Sequence, residues 1–149
     1  MGLFDIFKHR NKNAKSTNNE WTVRAQKMSA TAIEYAQDFD KRLDFSENSI
    51  VDLEEMLDWY SKDISVSKPT EKQIWSMSII FGSYLGETLL MNCLSNKGFA
   101  WGTEPSSDVP LLIKDDGSYI TPIDKVYKRL VNGNEDSVVS FYRFATTQI

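Results

Sequence analysis

One stretch limits what this chain can fold into more than any other. Thr70 to Leu94, TEKQIWSMSIIFGSYLGETLLMNCL, is its longest run of apolar and small residues. Thr70 and Gln73 have capping-box spacing, with Pro69 just before them, so the hydroxyl can accept from the Gln73 amide while the glutamine reaches back. Asn96-Lys97-Gly98 supplies the stop, because glycine takes a left-handed conformation without penalty. Between these ends Ile74, Met77, Ile79, Ile80, Phe81, Leu85, Leu89, Leu90 and Leu94 cover most of a helical circumference. A helix apolar on most sides is a core helix or a membrane span. Ser76, Ser78, Ser83, Glu87 and Asn92 interrupt the run and argue for the core.

Two stripes stand out on this helix. Ser78, Gly82 and Gly86 are spaced by four and lie one above another. Glycine in a helix costs about 0.5–1 kcal/mol relative to alanine, so the pair predicts a neighbouring main chain packed close. The second stripe is Ser76, Ser83 and Glu87. Glu87 reads as a carboxylate at the rim of the core, salt-bridged to Lys128, Arg129 or Arg143, or else as a ligand-binding or catalytic acid.

Around this helix the pattern predicts an α+β domain. Asn19 is placed to cap a helix from Glu20 to about Leu43, whose stripe runs Trp21, Ala25, Met28, Ala32, Tyr35, Ala36, Phe39 and Leu43. A second helix is predicted from Ser49 to Tyr60, with Ile50, Leu53, Met56, Leu57 and Tyr60 facing the core. Its other face carries Val51, Asp52, Glu55, Asp58 and Trp59, and Ser61 to Pro69 reads as a polar loop. After Gly98 the texture turns to strands: Phe99–Thr103, Val109–Lys114 and Ser118–Thr121, the last two joined at Asp115-Asp116-Gly117. Thr121-Pro122-Ile123-Asp124 opens another helix, ending at Asn132-Gly133. Its Lys125, Lys128 and Arg129 are predicted to face solvent. Asp136 to Ala145 is read as a closing helix, although VVSFYRF also has strand composition.

With 149 residues the chain is one domain, residues 19–149, preceded by a segment and linker over residues 1–18. That segment, MGLFDIFKHRNKNAK, places Leu3, Phe4, Ile6 and Phe7 on one face, with Lys8 and further basic residues behind them. It suits peripheral membrane contact, or a tail that docks Phe4 and Phe7 on the domain. Four cations against one acid give its first fifteen residues +3, which leaves −7 on the rest of a chain whose net charge is −4. An acidic body disfavours a nucleic-acid partner and favours a basic protein.

Tyr84-Leu85-Gly86-Glu87, the aromatic strand around Trp101, and Tyr127-Lys128-Arg129-Leu130 followed by Asn132-Gly133 and Glu135-Asp136-Ser137 together resemble a family of small uncharacterised bacterial domains. The resemblance spans about Leu43 to Phe144 and implies an α+β layout, but no activity. By analogy it points to an immunity or regulatory protein.

The chemistry-bearing residues are few. There is no P-loop and no dinucleotide fingerprint. The single His9 and single Cys93 cannot assemble a zinc site or a disulfide. The sequence therefore predicts no cofactor and no metal, a cytoplasmic setting, and a non-catalytic protein-interaction module. Its candidate contacts are Trp59 ringed by Asp52, Glu55 and Asp58, together with Glu87, Trp101, Lys128 and Arg129. A peripheral membrane adaptor using Leu3, Phe4, Phe7 and Lys8 is the second reading, and a carboxylate-dependent enzyme the third.

Overall fold

The computed structural model describes residues 14–149, with side chains from 20 onward. Leu3, Phe4, Ile6, Phe7 and Lys8 lie outside the described residues. The chain forms α1 (Ala14–Gln37), α2 (Glu47–Ser67), α3 (Glu71–Asn92), a 3-10 turn (Leu94–Lys97), β1 (Ala100–Gly102), β2 (Leu111–Ile113), β3 (Tyr119–Ile120), α4 (Pro122–Asn132), a second 3-10 turn (Asn134–Asp136) and α5 (Val138–Gln148). The fold is α+β. The three short strands make one antiparallel sheet in the order β1-β2-β3, with Trp101 opposite Leu112 and Leu112 opposite Ile120.

α3 is the axis, packed most extensively on α4 and α1. Its capping box is formed: Gln73 N–H donates to the Thr70 hydroxyl (3.1 Å), and Thr70 N–H donates to the Gln73 side chain (2.8 Å). Gly98, at φ 91°, closes the 3-10 turn that follows. Among the described residues α3 is also the one helix long and apolar enough to match a membrane span, and most of its apolar surface is used by the core.

The glycine stripe does as its spacing predicts at one position and differs at the other. A Cβ on Gly82 would sit 2.5 Å from the Ile123 main-chain Cα, so α4 starts directly on the backbone of α3. A Cβ on Gly86 would sit 2.3 Å from the Trp101 ring instead. There the close neighbour is an indole, not a main chain. Two missing side chains thus let a helix start and a tryptophan reach the same helix.

Tyr84 shows how α3 also holds the connection ahead of α2. Its hydroxyl accepts from the Phe45 N–H (2.8 Å) and shares a 2.6 Å hydrogen bond with Ser49, while its ring stacks on Phe45 at 4.9 Å. Ser46 then caps α2 by accepting from the Ser49 N–H.

Several boundaries differ from the sequence pattern. α1 begins inside the stretch read as a linker and ends at Gln37, not Leu43. It ends in a Schellman motif: Lys41 N–H reaches Ala36 O (3.0 Å) and Asp40 N–H reaches Gln37 O (3.1 Å). Asp40, at φ 55°, takes the left-handed position usually held by glycine. α2 continues through the predicted polar loop to Ser67 and stops at Lys68, which is also left-handed at φ 49°. Neither Asp40 nor Lys68 is itself a strong stop signal, but Pro69 follows Lys68 directly. Thr121 precedes Pro122 as expected, but its hydroxyl makes no capping bond.

Candidate functional site

A cavity of about 450 Å³ opens between α1, α3 and the sheet. On α1, Trp21, Ala25 and Met28 recur at helical spacing and turn one face toward it, with Arg24 beside them. On α3, Trp75, Ile79 and Ser83, each four apart, form the facing wall. Trp101 of β1 and Ile123 of α4 border it, and Asp108, Val109 and Pro110 supply the loop side. Three of the four tryptophans in the chain therefore meet at one space.

Each wall is held by a neighbouring side chain. The Arg24 guanidinium lies 5.1 Å over the Trp21 ring, a cation–π arrangement. Trp75 stacks on Tyr127 at 4.1 Å and 13°, and the Tyr127 hydroxyl bonds to Glu71. Trp101, only 1% exposed, donates its indole N–H to Glu87 at 3.0 Å.

Glu87 is buried as the sequence suggests, at 6% exposure, but its partner is different. The indole of Trp101 takes the place expected for Lys128, Arg129 or Arg143. Burial pushes the Glu87 carboxyl above its ordinary range, and the Trp101 hydrogen bond offsets only part of that rise. No described cation neutralises it. Glu87 thus sets the orientation of Trp101, and through it one wall of the cavity.

Ser83 differs from the other hydroxyls on α3. Ser76, Ser78 and Thr88 each donate to the carbonyl four residues back, at 3.0, 2.8 and 2.9 Å. Ser83 is 3% exposed, lines the cavity and makes no hydrogen bond among the described residues.

The other sequence-chosen residues lie elsewhere. Arg129 is not on the solvent face of α4 with Lys128, which is exposed. It is 1% exposed and reaches α2, where its Nε donates to Glu54 (2.5 Å) and its Nη2 to Asp58 (2.9 Å) and Asn134 (3.0 Å). The other Glu54 oxygen accepts from the Ser137 hydroxyl at 2.6 Å and from Val139 N–H at 3.3 Å. This cluster therefore joins α2, α4 and the start of α5. Arg129 reads as solvent-facing because it sits in a basic run. Its acceptors, at the i,i+4 positions Glu54 and Asp58, come from a helix some seventy residues earlier.

Trp59 is 54% exposed and meets Phe39 and Tyr60 edge-on, at 5.6 and 5.4 Å. The acids around it are already engaged. Lys41 pairs with Glu55 and Asp52, and Asp58 pairs with Lys62 and Arg129. Hydrogen bonds from Lys62 and then Arg129 hold the Asp58 carboxyl below its usual range. The ring of carboxylates read from the sequence is thus internally neutralised, which weakens its pull on a basic partner.

Of the residues singled out in the sequence as candidate contacts, only Trp101 lines the cavity, with Glu87 behind it. Trp21, Trp75, Ser83, Arg24 and Asp108, which also line it, carry no local signal of a site in the sequence. The fourfold spacing of Trp75, Ile79 and Ser83 was legible as a stripe, but nothing local shows that α1 and the 108–110 loop face it across a gap. No protein-family model, curated protein or solved structure matches this chain.

Proposed function

We propose that this protein is a non-catalytic binding module whose recognition element is the cavity walled by Trp21, Trp75 and Trp101. The observation that carries this reading is the convergence of three tryptophans, from α1, α3 and β1, on one space that the core leaves unfilled. Its volume of about 450 Å³ lies within the roughly 300–1,000 Å³ range of ligand pockets, which are mostly apolar with a few placed polar groups. Arg24, Ser83 and Asp108 are such groups here. Large rigid rings give much contact area at little cost in side-chain entropy, which suits them to gripping a compact apolar or aromatic group.

The walls also favour binding over chemistry. Glu87, the buried acid nearest the cavity, is engaged by the Trp101 indole. Its role here is to position a wall.

The test uses indole as the probe. Indole binding should quench or shift the intrinsic tryptophan fluorescence and saturate with one site per chain. Ile79→Trp fills the cavity from its half-exposed edge and should abolish saturation while the protein stays folded. Saturable binding that survives in Ile79→Trp would place the site elsewhere and overturn the reading.

A further inference from the structure

We infer that the ligand of the tryptophan-walled cavity is a free aromatic amino acid, held as its zwitterion. The inference rests on the binding role proposed above and adds the chemistry of the ligand. Three observations lead to it. The walls accept a flat apolar body: Trp21, Trp75 and Trp101 border a space of about 450 Å³. Ser83 adds a hydroxyl on the cavity wall that makes no hydrogen bond among the described residues. Ser76, Ser78 and Thr88 on α3 are each satisfied by their own helix, whereas the Ser83 hydroxyl is left open to the cavity. A ligand whose ring carries a polar atom, such as an indole N–H or a phenol O–H, would satisfy it.

The third observation is the charge at the cavity. Arg24 and Asp108 both border it, both are solvent-accessible, and no ion pair joins them. A ligand with only a carboxylate would gain at Arg24 and lose at Asp108. A ligand with only an ammonium would do the reverse. An α-amino acid presents both charges on one carbon, so it offers a partner to each residue. Arginine is suited to the carboxylate because its planar fork bonds it bidentately. The stacking of that fork on Trp21 limits its freedom beforehand.

Isothermal titration calorimetry on the full chain tests this with five probes: L-tryptophan, indole-3-propionate, tryptamine, N-acetyl-L-tryptophanamide and indole. L-tryptophan should bind tightest. Removing either charge should weaken binding about tenfold or more, as expected for a lost charge-assisted hydrogen bond. Arg24→Ala should erase the advantage of L-tryptophan over tryptamine, and Asp108→Ala its advantage over indole-3-propionate. Ser83→Ala should weaken L-tryptophan but leave L-phenylalanine unchanged, which separates loss of the hydroxyl from loss of the fold.

If N-acetyl-L-tryptophanamide or indole binds as tightly as L-tryptophan, the amino-acid assignment is overturned while the cavity keeps its binding role. If none of the five binds, indole included, both readings fail together.

Discussion

The Glu87 carboxylate accepts the Trp101 indole N–H at 3.0 Å with both residues buried. A carboxylate in such a place is usually met by a cation, and here it is met by a neutral donor. The charge on Glu87 is therefore a burden that the fold carries to keep one tryptophan oriented. Burial raises the carboxyl pKa, so the native state binds the proton more tightly than the unfolded chain does. The stabilising contribution is full below the unfolded pKa, at about pH 4.3, and is lost as pH rises through the folded value. Glu87→Gln retains an oxygen acceptor for Trp101 and removes the charge. The variant's melting temperature should gain on the wild type as pH climbs through this window, then hold a constant lead. Melting curves from about pH 4 to about pH 8 measure it, and a difference independent of pH would remove Glu87 from this role.

Gly82 and Gly86 should both resist substitution, for different reasons. Alanine would ordinarily stabilise a helix by nearly 1 kcal/mol over glycine. At Gly82 the new methyl would meet the Ile123 main chain at 2.5 Å, and α4 would have to move. At Gly86 it would meet the Trp101 ring at 2.3 Å, and the ring would have to move. Each alanine variant should lose about 1–3 kcal/mol. Only Gly86→Ala should also alter the tryptophan fluorescence strongly, because it displaces an indole. A rise in melting temperature for either variant would show that the close approach is absent.

The physics of single segments was legible in the sequence, and the physics of their meeting was not. The capping box at Thr70 and Gln73, the turn at Asp115–Gly117 and the Pro122 start of α4 are readable because each depends on residues within four positions, whereas the central helix stops at Asn92, ahead of the expected Gly98, which closes the 3-10 turn instead. The end of α1 is not legible because Asp40 adopts a left-handed conformation that its side chain does not advertise. The end of α2 is marked by Pro69, and what is not legible is that the polar residues after Tyr60 continue the helix to it. Gly86 reads as a main-chain contact because a small residue announces closeness without naming what comes close. Trp75 and Trp21 each belong to an ordinary apolar stripe. Their role follows from a gap between two helices, a tertiary property that neither stripe contains.

Arg129 and Glu54 give a prediction about order. Arg129 is 1% exposed while the Glu54 side chain is 20% exposed. Removing either leaves the other charge behind, and the more deeply buried one suffers more. Glu54→Ala strands the guanidinium with Asp58 and Asn134 alone. It also removes the acceptor of the Ser137 hydroxyl and the Val139 N–H at the start of α5. It should cost about 3 kcal/mol, near the low end for unpairing a buried charge because one acid remains. Arg129→Met leaves Glu54 partly hydrated and still bonded to Ser137, and should cost less. Urea unfolding of the two variants decides the order, and a larger loss for Arg129→Met would reverse the argument.

Trp59 separates exposure from idleness. Half of its surface meets solvent, yet its ring packs edge-on against Phe39 just beyond α1 and Tyr60 on α2. Such aromatic pairs contribute about 0.5–1.5 kcal/mol each beyond buried area. Trp59→Ala should therefore lower stability by about 1–2 kcal/mol and loosen the chain after Asp38 where it leaves α1. It should leave indole binding at the cavity unchanged, because Trp59 does not line it. Glu55→Gln, which breaks only the solvent-exposed contact with Lys41, should leave the melting temperature almost unmoved. Thermal melts and indole titrations on the two variants check all three statements. If Trp59→Ala impaired indole binding as well as stability, the α1–α2 contact and the cavity would be one coupled unit and not two independent ones.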